Sequence, residues 1–514
     1  MSAPTIKTLL VWLTALVVWL LVSALLESMG MPSIGLLFLH LAATGVLLWR
    51  ILRLTAVVQA QAFLVPDNEG PTALTPYGSA AAWLSGFGTI GVMATVLMNG
   101  SGAFALVVGI VGGMIIASTV LAPALAEVDS KSLSGWVGWR FGERAERVAK
   151  GLLAVLGIGI LTVQMAFAAL VAQAMFGISP IFIVPIVAVL TLLAVLGGGI
   201  ASMIPAQAML FLVLFAGVLV PGIWLGLSQT GIVVPHLAPG AMLHEIAVAE
   251  SRLGIVAGND PFAAMMLGLT VMLGTLALPH TLVRWPVERS GHSARYFAQR
   301  GAVLAVIVIA AVPLLAIAMR AEVLIAAMAG GAGLSMGATP ADAIASGLAI
   351  LDPPAWLVAA LGAGILAAIV AACASATLLV ASALGRDPAR ETAGGVLSRL
   401  RWVGALSVGL GACGAMVLPV DPVTAFLALL AFAASAILAP FVLGLMWSGM
   451  TAGGALAGMI AGAVSCVGLG AMGWSAAGGM ALLCLGVSAS VSVAVSLVAG
   501  TPKLSPPIQI PPRR

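Results

Sequence analysis

Long apolar stretches alternate with short polar or proline- and glycine-rich breaks along almost the whole chain. A helix needs about 20 apolar residues to cross the roughly 30 Å hydrocarbon core of a bilayer, and the stretches have this length. The pattern therefore predicts a membrane protein made of fourteen spanning helices. The predicted spans are residues 8–26, 34–53, 79–99, 103–126, 148–174, 179–199, 203–228, 262–284, 299–320, 354–384, 399–419, 422–447, 453–473 and 476–498.

The composition agrees with a bundle of membrane helices and excludes several other classes of protein. Hydrophobic residues make up 62% of the chain and charged residues 7%, whereas soluble domains contain about 25% charged residues. The net charge of +4 comes from basic residues dispersed among short loops, so the lipid bilayer, and no nucleic acid, is the expected partner. The four cysteines lack metal-ligand spacing, and no metal site or organic cofactor is predicted.

The distribution of lysine and arginine predicts the orientation, because cytoplasmic loops retain positive charge during insertion. With both ends inside, all of the 21 lysines and arginines except Arg252 and Arg320 lie on the cytoplasmic side. We therefore expect a multi-pass protein of the cell (inner) membrane with both termini cytoplasmic. The longest external loops are residues 229–261 and 321–353, and the second is expected to form short helices that lie over this face of the protein.

The first apolar stretch has two interpretations. Lys7 precedes it, as a basic residue precedes the apolar part of a cleaved signal peptide. However, the stretch is long for such a peptide, and residues 27–30 are a poor match to a small-residue cleavage site. We favour a retained helix, so that residues 1–53 form two accessory transmembrane helices.

Two spans are interrupted by glycine and proline at corresponding places in the two halves of the chain. Residues 79–99 contain three glycines shortly after Pro76 and Gly78, and residues 262–284 contain two glycines and Pro279. An interrupted helix exposes carbonyls that bind cations and amides that bind anions, and a membrane protein tolerates this only around a ligand or a cavity. Paired interruptions of this kind are typical of secondary transporters.

Several segments form an ordered set of motifs. Residues 274–284 have the sequence Gly-Thr-Leu-Ala-Leu-Pro-His-Thr-Leu-Val-Arg, residues 77–84 have Tyr-Gly-Ser-Ala-Ala-Ala-Trp-Leu, and residues 381–387 have Ala-Ser-Ala-Leu-Gly-Arg-Asp. Shorter motifs are Gln164-Met165, Phe176-Gly177, Gly198-Gly199-Ile200 followed by Gln207, and residues 432–435. Together, these motifs resemble the acetate and monocarboxylate permease branch of the sodium/solute symporter family over about residues 35–470.

This resemblance implies an all-α membrane protein of about fourteen helices with a LeuT-like core of two inverted five-helix repeats. It places the core at residues 75–447, followed by two C-terminal helices and a short cytoplasmic tail at residues 448–514. The implied function is secondary active symport of a small organic solute, most simply a short-chain monocarboxylate such as acetate, by alternating access. The implied substrate-binding residues lie at the two breaks and in the third core helix, and they are Gly78, Ser79, Ala80, Gln164, Gly274 and Thr275.

The expected ion site departs from the family pattern. By alignment on residues 381–387, two hydroxyl positions on the eighth core helix fall near Ala372 and Cys373, neither of which supplies a side-chain oxygen. Ser375 and Thr377 lie about one helical turn further along the helix. We therefore expect sodium or a proton as the coupling ion, with less dependence on sodium than in ordinary members of the family. The candidate ion-binding residues are Thr75, Gly78, Ala372, Cys373, Ser375 and Thr377.

Some polar residues in the spans have two interpretations each. His280 and Arg284, near the cytoplasmic interface, are either packed there or act in gating or proton relay. An unpaired amide is costly in a membrane, so Gln164 must bind either the solute or a neighbouring helix. His40 lies outside the core helices and is expected to be structural.

The spans contain no paired carboxylates and no cluster of histidine and cysteine that would indicate an enzyme. The alternative to symport is a degenerate relative that has lost sodium coupling. Such a protein would act as a facilitator, a sensor or an accessory membrane subunit, and ion-stimulated uptake distinguishes it from a symporter. No oligomeric state is predicted.

Overall fold

Helices are the regular secondary structure of the part of the chain that the computed structural model describes. This part comprises residues 3–65, 74–128, 130, 132–234, 237, 239–253, 260–288, 290–328, 339–385, 395–418, 420–475 and 479–500. In chain order, the helices are α1 Ala3–Ser28, α2 Ser33–Thr55, α3 Ala60–Leu64, α4 Thr75–Leu84, α5 Phe87–Asn99, α6 Phe104–Ala126, α7 Leu133–Phe141, α8 Glu143–Phe176, α9 Pro180–Val195, α10 Ile200–Thr230, α11 Pro239–Leu253, α12 Pro261–Ala277, α13 Pro279–Val287, α14 Gly291–Met328, α15 Pro340–Leu351, α16 Ala355–Leu384, α17 Val396–Val417, α18 Pro422–Met446, α19 Ala452–Ala471 and α20 Met480–Ala499.

Each predicted span corresponds to one helix or to one bent pair of helices. In the described residues, 11 helices are long and apolar enough to cross a membrane, and the count reaches 13 when each of two bent pairs is taken as one span. The pairs are α4 with α5 and α12 with α13. Helix α9 is apolar but has only 16 residues, so the count of fourteen stays a prediction.

The centre of the bundle is formed by α8, α10, α14 and α16. In the most apolar window of α16, 94% of the residues are buried within the protein, whereas the figure for α1 is 6%. Small residues allow the central helices to approach closely. A Cβ atom on Gly217 of α10 would lie 2.8 Å from the Cα of Gly364 in α16, so the two backbones are in contact there.

Although α1 lies at the periphery, it makes specific contacts with the rest of the protein. The carboxylate of Glu27 accepts hydrogen bonds from the backbone N–H groups of Ala355 and Trp356, at 2.7 and 3.1 Å. N–H groups in the first turn of a helix have no partner within the helix, and a negative charge is stabilising there. Trp19 donates a hydrogen bond to His40 in α2 at 2.8 Å. Helix α1 is thus joined to α2 and α16 by hydrogen bonds, and His40 has a structural partner.

Residues 229–261 and 321–353 each contain a short helix, α11 in the first segment and α15 in the second, as the composition of the second predicted. Arg320, near the C-terminal end of α14, is buried and donates through Nε and Nη2 to Glu250 of α11, at 2.8 and 2.6 Å. Its Nη1 donates to the carbonyl oxygen of Leu97 at 2.6 Å, in the last turn of α5. Arg320 is one of the two exceptions to the predicted charge distribution, and its partners give it a structural role.

Helices α19 and α20 pack through small residues spaced four apart. Gly454, Gly458 and Gly462 of α19 face Ser488, Ser492 and Ser496 of α20. Ser488 donates a hydrogen bond to the carbonyl oxygen of Gly458 at 2.9 Å. Because the interface consists of glycine backbone and serine side chains, it has no room for an additional methyl group.

We predict that Gly458→Val destabilises the protein, because a Cβ atom there would lie 3.0 Å from the carbonyl oxygen of Ser488 and closer still to the hydroxyl of Ser492. Overpacking of this kind costs about 1–3 kcal/mol. Gly468→Val in the same helix is the control, since no atom lies within 4 Å of a Cβ at that position. Thermal unfolding in detergent should show a lower Tm for the first variant alone, and equal Tm values would contradict the packing.

Candidate functional site

The first interruption lies at Ser85 and Gly86, where α4 and α5 meet at an angle of 52°. Ser85 has a φ of +50°, a left-handed conformation that side chains other than glycine rarely adopt. We expected Gly78, Ser79 and Ala80 to form this break, and that position is wrong because all three lie in the regular helix α4. Their small side chains serve close packing. A Cβ on Gly78 would lie 3.3 Å from the Cβ of Gln207.

Gln164 of α8 satisfies the backbone at the first break. Its side-chain Oε1 accepts a hydrogen bond from the N–H of Gly86 at 2.8 Å, and the side chain is fully buried. Gly86 itself cannot carry a side chain, because a Cβ would lie 2.7 Å from the Cβ of Phe167. The Nε2 atom of Gln164 is buried without a hydrogen-bond partner in the described part of the chain. The break therefore presents an amide donor in an otherwise apolar setting.

Three phenylalanine side chains surround this position. The rings of Phe87 and Phe426 stack with their centroids 4.7 Å apart, and Phe167 lies 6.2 Å from Phe426 and 6.5 Å from Phe87. The three residues come from α5, α18 and α8. They enclose the break with apolar surface, which suits a small solute that combines a polar group with a short apolar part.

The second interruption lies between α12 and α13, which meet at 41°. Leu278 is extended, with φ −61° and ψ 108°, as expected for a residue that precedes a proline. We expected Gly274 and Thr275 at this break, and that position is also wrong because both lie within α12. Pro279 sets the interruption, since proline lacks an N–H group and restricts the residue before it.

Gly274 and Thr275 instead make helix-to-helix contacts close to the break. A Cβ on Gly274 would lie 2.8 Å from the Cα of Leu430 in α18. A Cβ on Gly113 of α6 would lie 2.7 Å from the Cβ of Thr275. These contacts join α12 to its neighbours and fix the direction in which the second break points.

Arg284 of α13 is buried and joins four helices. Its Nη2 donates to Oε1 of Gln207 at 2.7 Å and lies 3.5 Å from the hydroxyl of Ser375, and its Nη1 donates to the hydroxyl of Ser79 at 3.3 Å. Nε2 of Gln207 donates to the carbonyl oxygen of Ala371 at 2.6 Å and to Ser375 at 2.7 Å. The network thus links α4, α10, α13 and α16 around one guanidinium group.

The structure places the other expected gating and ion-binding residues as follows. His280 is fully buried beside the backbone of Ala82. Ala372 and Cys373 are buried in α16 and supply no side-chain oxygen, and Thr377 donates to the carbonyl oxygen of Cys373 at 2.8 Å within the same helix. Of the ion-binding candidates, Ser375 and Gly78 lie at the Arg284 network. Thr75 is buried one turn before Ser79, whose hydroxyl donates to its carbonyl oxygen at 2.9 Å.

Gln207 was not among the site residues predicted from the sequence. Its signal was the same as that of Gln164, because each is a primary amide in the middle of an apolar span and each must find a partner there. Both amides are fully buried in the structure. One contacts a break directly, and the other orients the guanidinium of Arg284.

Comparison with known proteins agrees with this architecture. The model of the Sodium:solute symporter family matches residues 72–462. Among solved structures, the chain is similar to a substrate-bound, outward-open Na+-coupled sialic acid symporter described as having a novel Na+-site. The TM-score is 0.72 at 15% sequence identity, and the alignment covers 93% of this chain and 99% of that chain.

At this identity, the structural similarity shows the fold, which is the all-helical LeuT-like fold of that symporter. The family and the similar structure are transporters rather than enzymes. The family match covers well over half of the chain. The two bent spans and the many apolar helices have the arrangement that such transporters require. This multi-pass membrane protein therefore belongs to the sodium:solute symporter family.

Proposed function

We propose that the chain carries a short-chain monocarboxylate such as acetate by alternating access. The observation that supports this proposal is the buried amide of Gln164 at the first break. Its Oε1 is held by Gly86, whereas Nε2 keeps two N–H donors without a partner in the described residues. A carboxylate accepts hydrogen bonds from such donors, and a charged acceptor makes them stronger.

The apolar surroundings favour a small solute. Phe87, Phe167 and Phe426 lie close to the break. A methyl or ethyl group fits against aromatic rings, while a bulky or highly hydroxylated solute would leave polar groups unpaired there. The positive charge of Arg284 on the neighbouring network adds an attraction for an anion.

Other predicted residues have supporting roles in this proposal. Gly78 and Ala80 allow α4 to pack closely beside the route of the solute, and Ser79 orients Arg284. Gly274 and Thr275 position the second break. Residues 1–53 and 448–514 are accessory helices around a ten-helix core at residues 75–447. The protein lies in the inner membrane with both termini cytoplasmic, and His280 with Arg284 forms part of the gate.

The coupling ion in this proposal is a proton, or transport is uncoupled. The family to which the chain belongs makes sodium the first candidate. Ala372 and Cys373 offer no side-chain oxygen, however, and the hydroxyl of Ser375 is engaged by Gln207 and Arg284. The second candidate function is a sodium-independent facilitator, sensor or accessory subunit. The side chains of Ala372 and Cys373 and the engaged hydroxyl of Ser375 favour this candidate over a sodium symporter.

The proposed substrate is tested by uptake of radiolabelled acetate into liposomes that contain the purified protein. Protein-free liposomes at the same pH give the passive rate. We expect uptake above that rate that is inhibited by excess propionate, because the site binds a carboxylate with a short apolar tail. Acetamide, which has the same shape without the charge, should not inhibit. Uptake equal to the passive rate for every short-chain acid would contradict the proposal.

A substitution at Gln164 tests the binding residue. Gln164→Leu leaves the N–H of Gly86 unpaired, which costs about 1–3 kcal/mol, and it removes both donors. We predict that acetate uptake falls at least about 10-fold, which corresponds to about 1.4 kcal/mol. Gln173→Leu is the matched control, because Gln173 lies on the same helix but is exposed.

A second variant separates substrate binding from packing. Gln164→Glu keeps an oxygen that accepts from Gly86 but loses the amide donors. We expect this variant to remain folded, as judged by its elution as a single species in detergent, and to lose acetate uptake. If the Gln164→Leu variant takes up acetate as fast as the unsubstituted protein, Gln164 only joins helices.

A further inference from the structure

We infer that Cys466 of α19 and Cys484 of α20 are a redox-active pair that closes to a disulfide near the turn between the two helices. Both residues are free thiols in the structure, which therefore shows the reduced form of the pair. The register of the two helices, the contacts of the thiols and their place in the hairpin all support this assignment. The pair does not depend on the proposed substrate or on the coupling ion.

Small residues fix the register between α19 and α20. Three glycines of α19 each face a serine of α20, and the pairs are Gly454 with Ser496, Gly458 with Ser492 and Gly462 with Ser488. A Cβ atom on the glycine would lie 3.2, 3.1 and 3.0 Å, respectively, from the Cβ atom of the serine. Each step goes forward by four residues in α19 and back by four in α20, because the helices are antiparallel. The next step pairs Cys466 with Cys484.

The spacing of this interface suits a disulfide between the two cysteines. Cβ atoms that a disulfide joins are about 3.5–4.5 Å apart, and the glycine–serine pairs lie just below this range. Because cysteine is larger than glycine, the cysteine pair holds the helices slightly further apart. The thiol of Cys466 also lies within hydrogen-bonding reach of the thiol of Cys484. The two sulfur atoms are therefore neighbours, and the bond needs no large movement of either backbone.

The two thiols lie in an apolar cluster of their own. Ala431 of α18 and the α20 residues Met480 and Ala481 pack with the two cysteines, and all of them are buried. An S–H group is a weak donor that has little to bind in such a setting. Oxidation removes both S–H groups and leaves the apolar packing in place, so the cluster accommodates the disulfide as well as it accommodates the thiols.

The place of the pair within the hairpin brings it close to an exposed turn. Cys466 is in the penultimate turn of α19, which ends at Ala471, and Cys484 is in the second turn of α20, which begins at Met480. Residues 471–475 between them are exposed. In the orientation proposed above, this end of the hairpin is external, and thiols are oxidised on that side of a cell membrane. An oxidant therefore has a short path to the pair.

The oxidant that we assign to the pair is a peroxide. One thiol attacks a peroxide oxygen, which forms a sulfenic acid and releases one molecule of water from hydrogen peroxide. The second thiol attacks the sulfenic sulfur, which forms the S–S bond and releases a second molecule of water. The two sulfur atoms together lose two electrons, and one molecule of hydrogen peroxide gains them. Hydrogen peroxide is small and uncharged, so it can enter an apolar cluster.

The disulfide would act on α18 as well as on the hairpin. The hydroxyl of Ser435 in α18 lies within hydrogen-bonding reach of Cys466. Ser435 belongs to a π-helical turn, Ala434–Leu438, against which Gly462 of α19 packs. Irregular turns of this kind are frequent at functional sites. A bond between α19 and α20 next to this turn keeps the two helices together where they cover it.

The pair is tested in the full chain with Cys373 and Cys413 both replaced by alanine, so that two of the four thiols remain. The purified protein is treated with hydrogen peroxide in detergent and then denatured, and its free thiols are counted with a maleimide. We expect the count to fall from two to zero and to return to two after dithiothreitol. The intact mass should decrease by two hydrogen atoms, and the chain should remain a monomer on a denaturing gel.

A matched control moves one thiol to another face of α20. Leu483→Cys combined with Cys484→Ala in the same background also has two thiols, but residue 483 is exposed instead of facing Cys466. This variant should show no loss of two hydrogen atoms within one chain. Its behaviour separates the register of the helices from the mere presence of two cysteines.

Two results would overturn the inference. One is retention of both thiols at a peroxide concentration that oxidises the exposed Cys413 of the unsubstituted protein. The other is a gain of oxygen that dithiothreitol does not reverse, since this indicates oxidation of separate thiols to sulfinic acid. If the alanine background does not fold, the unsubstituted protein is used after iodoacetamide has blocked Cys413. Its thiol count should then fall from three to one, and a count that stays at three would contradict the pair.

Discussion

The N–H group of Gly86 loses its helical partner where α4 and α5 diverge, and Gln164 supplies the acceptor that replaces it. A free backbone N–H in the interior of a membrane protein costs several kcal/mol, so the interruption exists only because α8 presents an amide at this depth. Nε2 of the same amide has no hydrogen-bond partner in the described residues, and three phenylalanine rings pack together next to the break. The hydrogen bond therefore both stabilises the break and gives it the chemistry of a binding site.

Arg320 and Arg284 are both buried, and they show how the surroundings of a charge decide its role. Arg320 lies in an ion pair with Glu250 and also donates to the last turn of α5, so it joins α11 to the bundle. Arg284 donates to neutral side chains on α4, α10 and α16. Both charges require extensive hydrogen bonding because they are out of water. Arg320 therefore joins two parts of the bundle near one end of α14, and Arg284 joins four helices beside the two breaks.

The class of fold could be predicted from the sequence, because long apolar stretches allow few alternatives to membrane helices. The two interrupted spans could also be identified. Their break points could not, because glycine serves close packing as well as unwinding. Gly78 packs against Gln207, whereas the chain turns at Ser85, a residue with no intrinsic tendency to do so. At the second break, the signal was Pro279 rather than Gly274.

Residues that act together but lie far apart in the chain were the hardest part of the site to predict. Gln164 was identified because a buried amide needs a partner, and the partner proved to be the backbone of the break. From the sequence, Arg284 was predicted to lie near the cytoplasmic interface. Its contacts with Ser79 and Gln207 depend on how α13 folds back after Pro279, and the sequence does not show this. Ser375 was identified as an ion ligand, but its engagement with an arginine and an amide could be seen only in three dimensions.

An experimental structure of the purified protein in a lipid nanodisc, determined in sodium chloride at a resolution that shows side-chain density, tests the account most directly. The central claim is that Gln164 completes the first break and leaves its amide donors for the solute. With acetate added at a saturating concentration, the account predicts that Oε1 of Gln164 accepts a hydrogen bond from the N–H of Gly86 and that the density of the acetate carboxylate lies against Nε2 of Gln164. Density for acetate at another place, with the side chain of Gln164 turned away from Gly86, would contradict it.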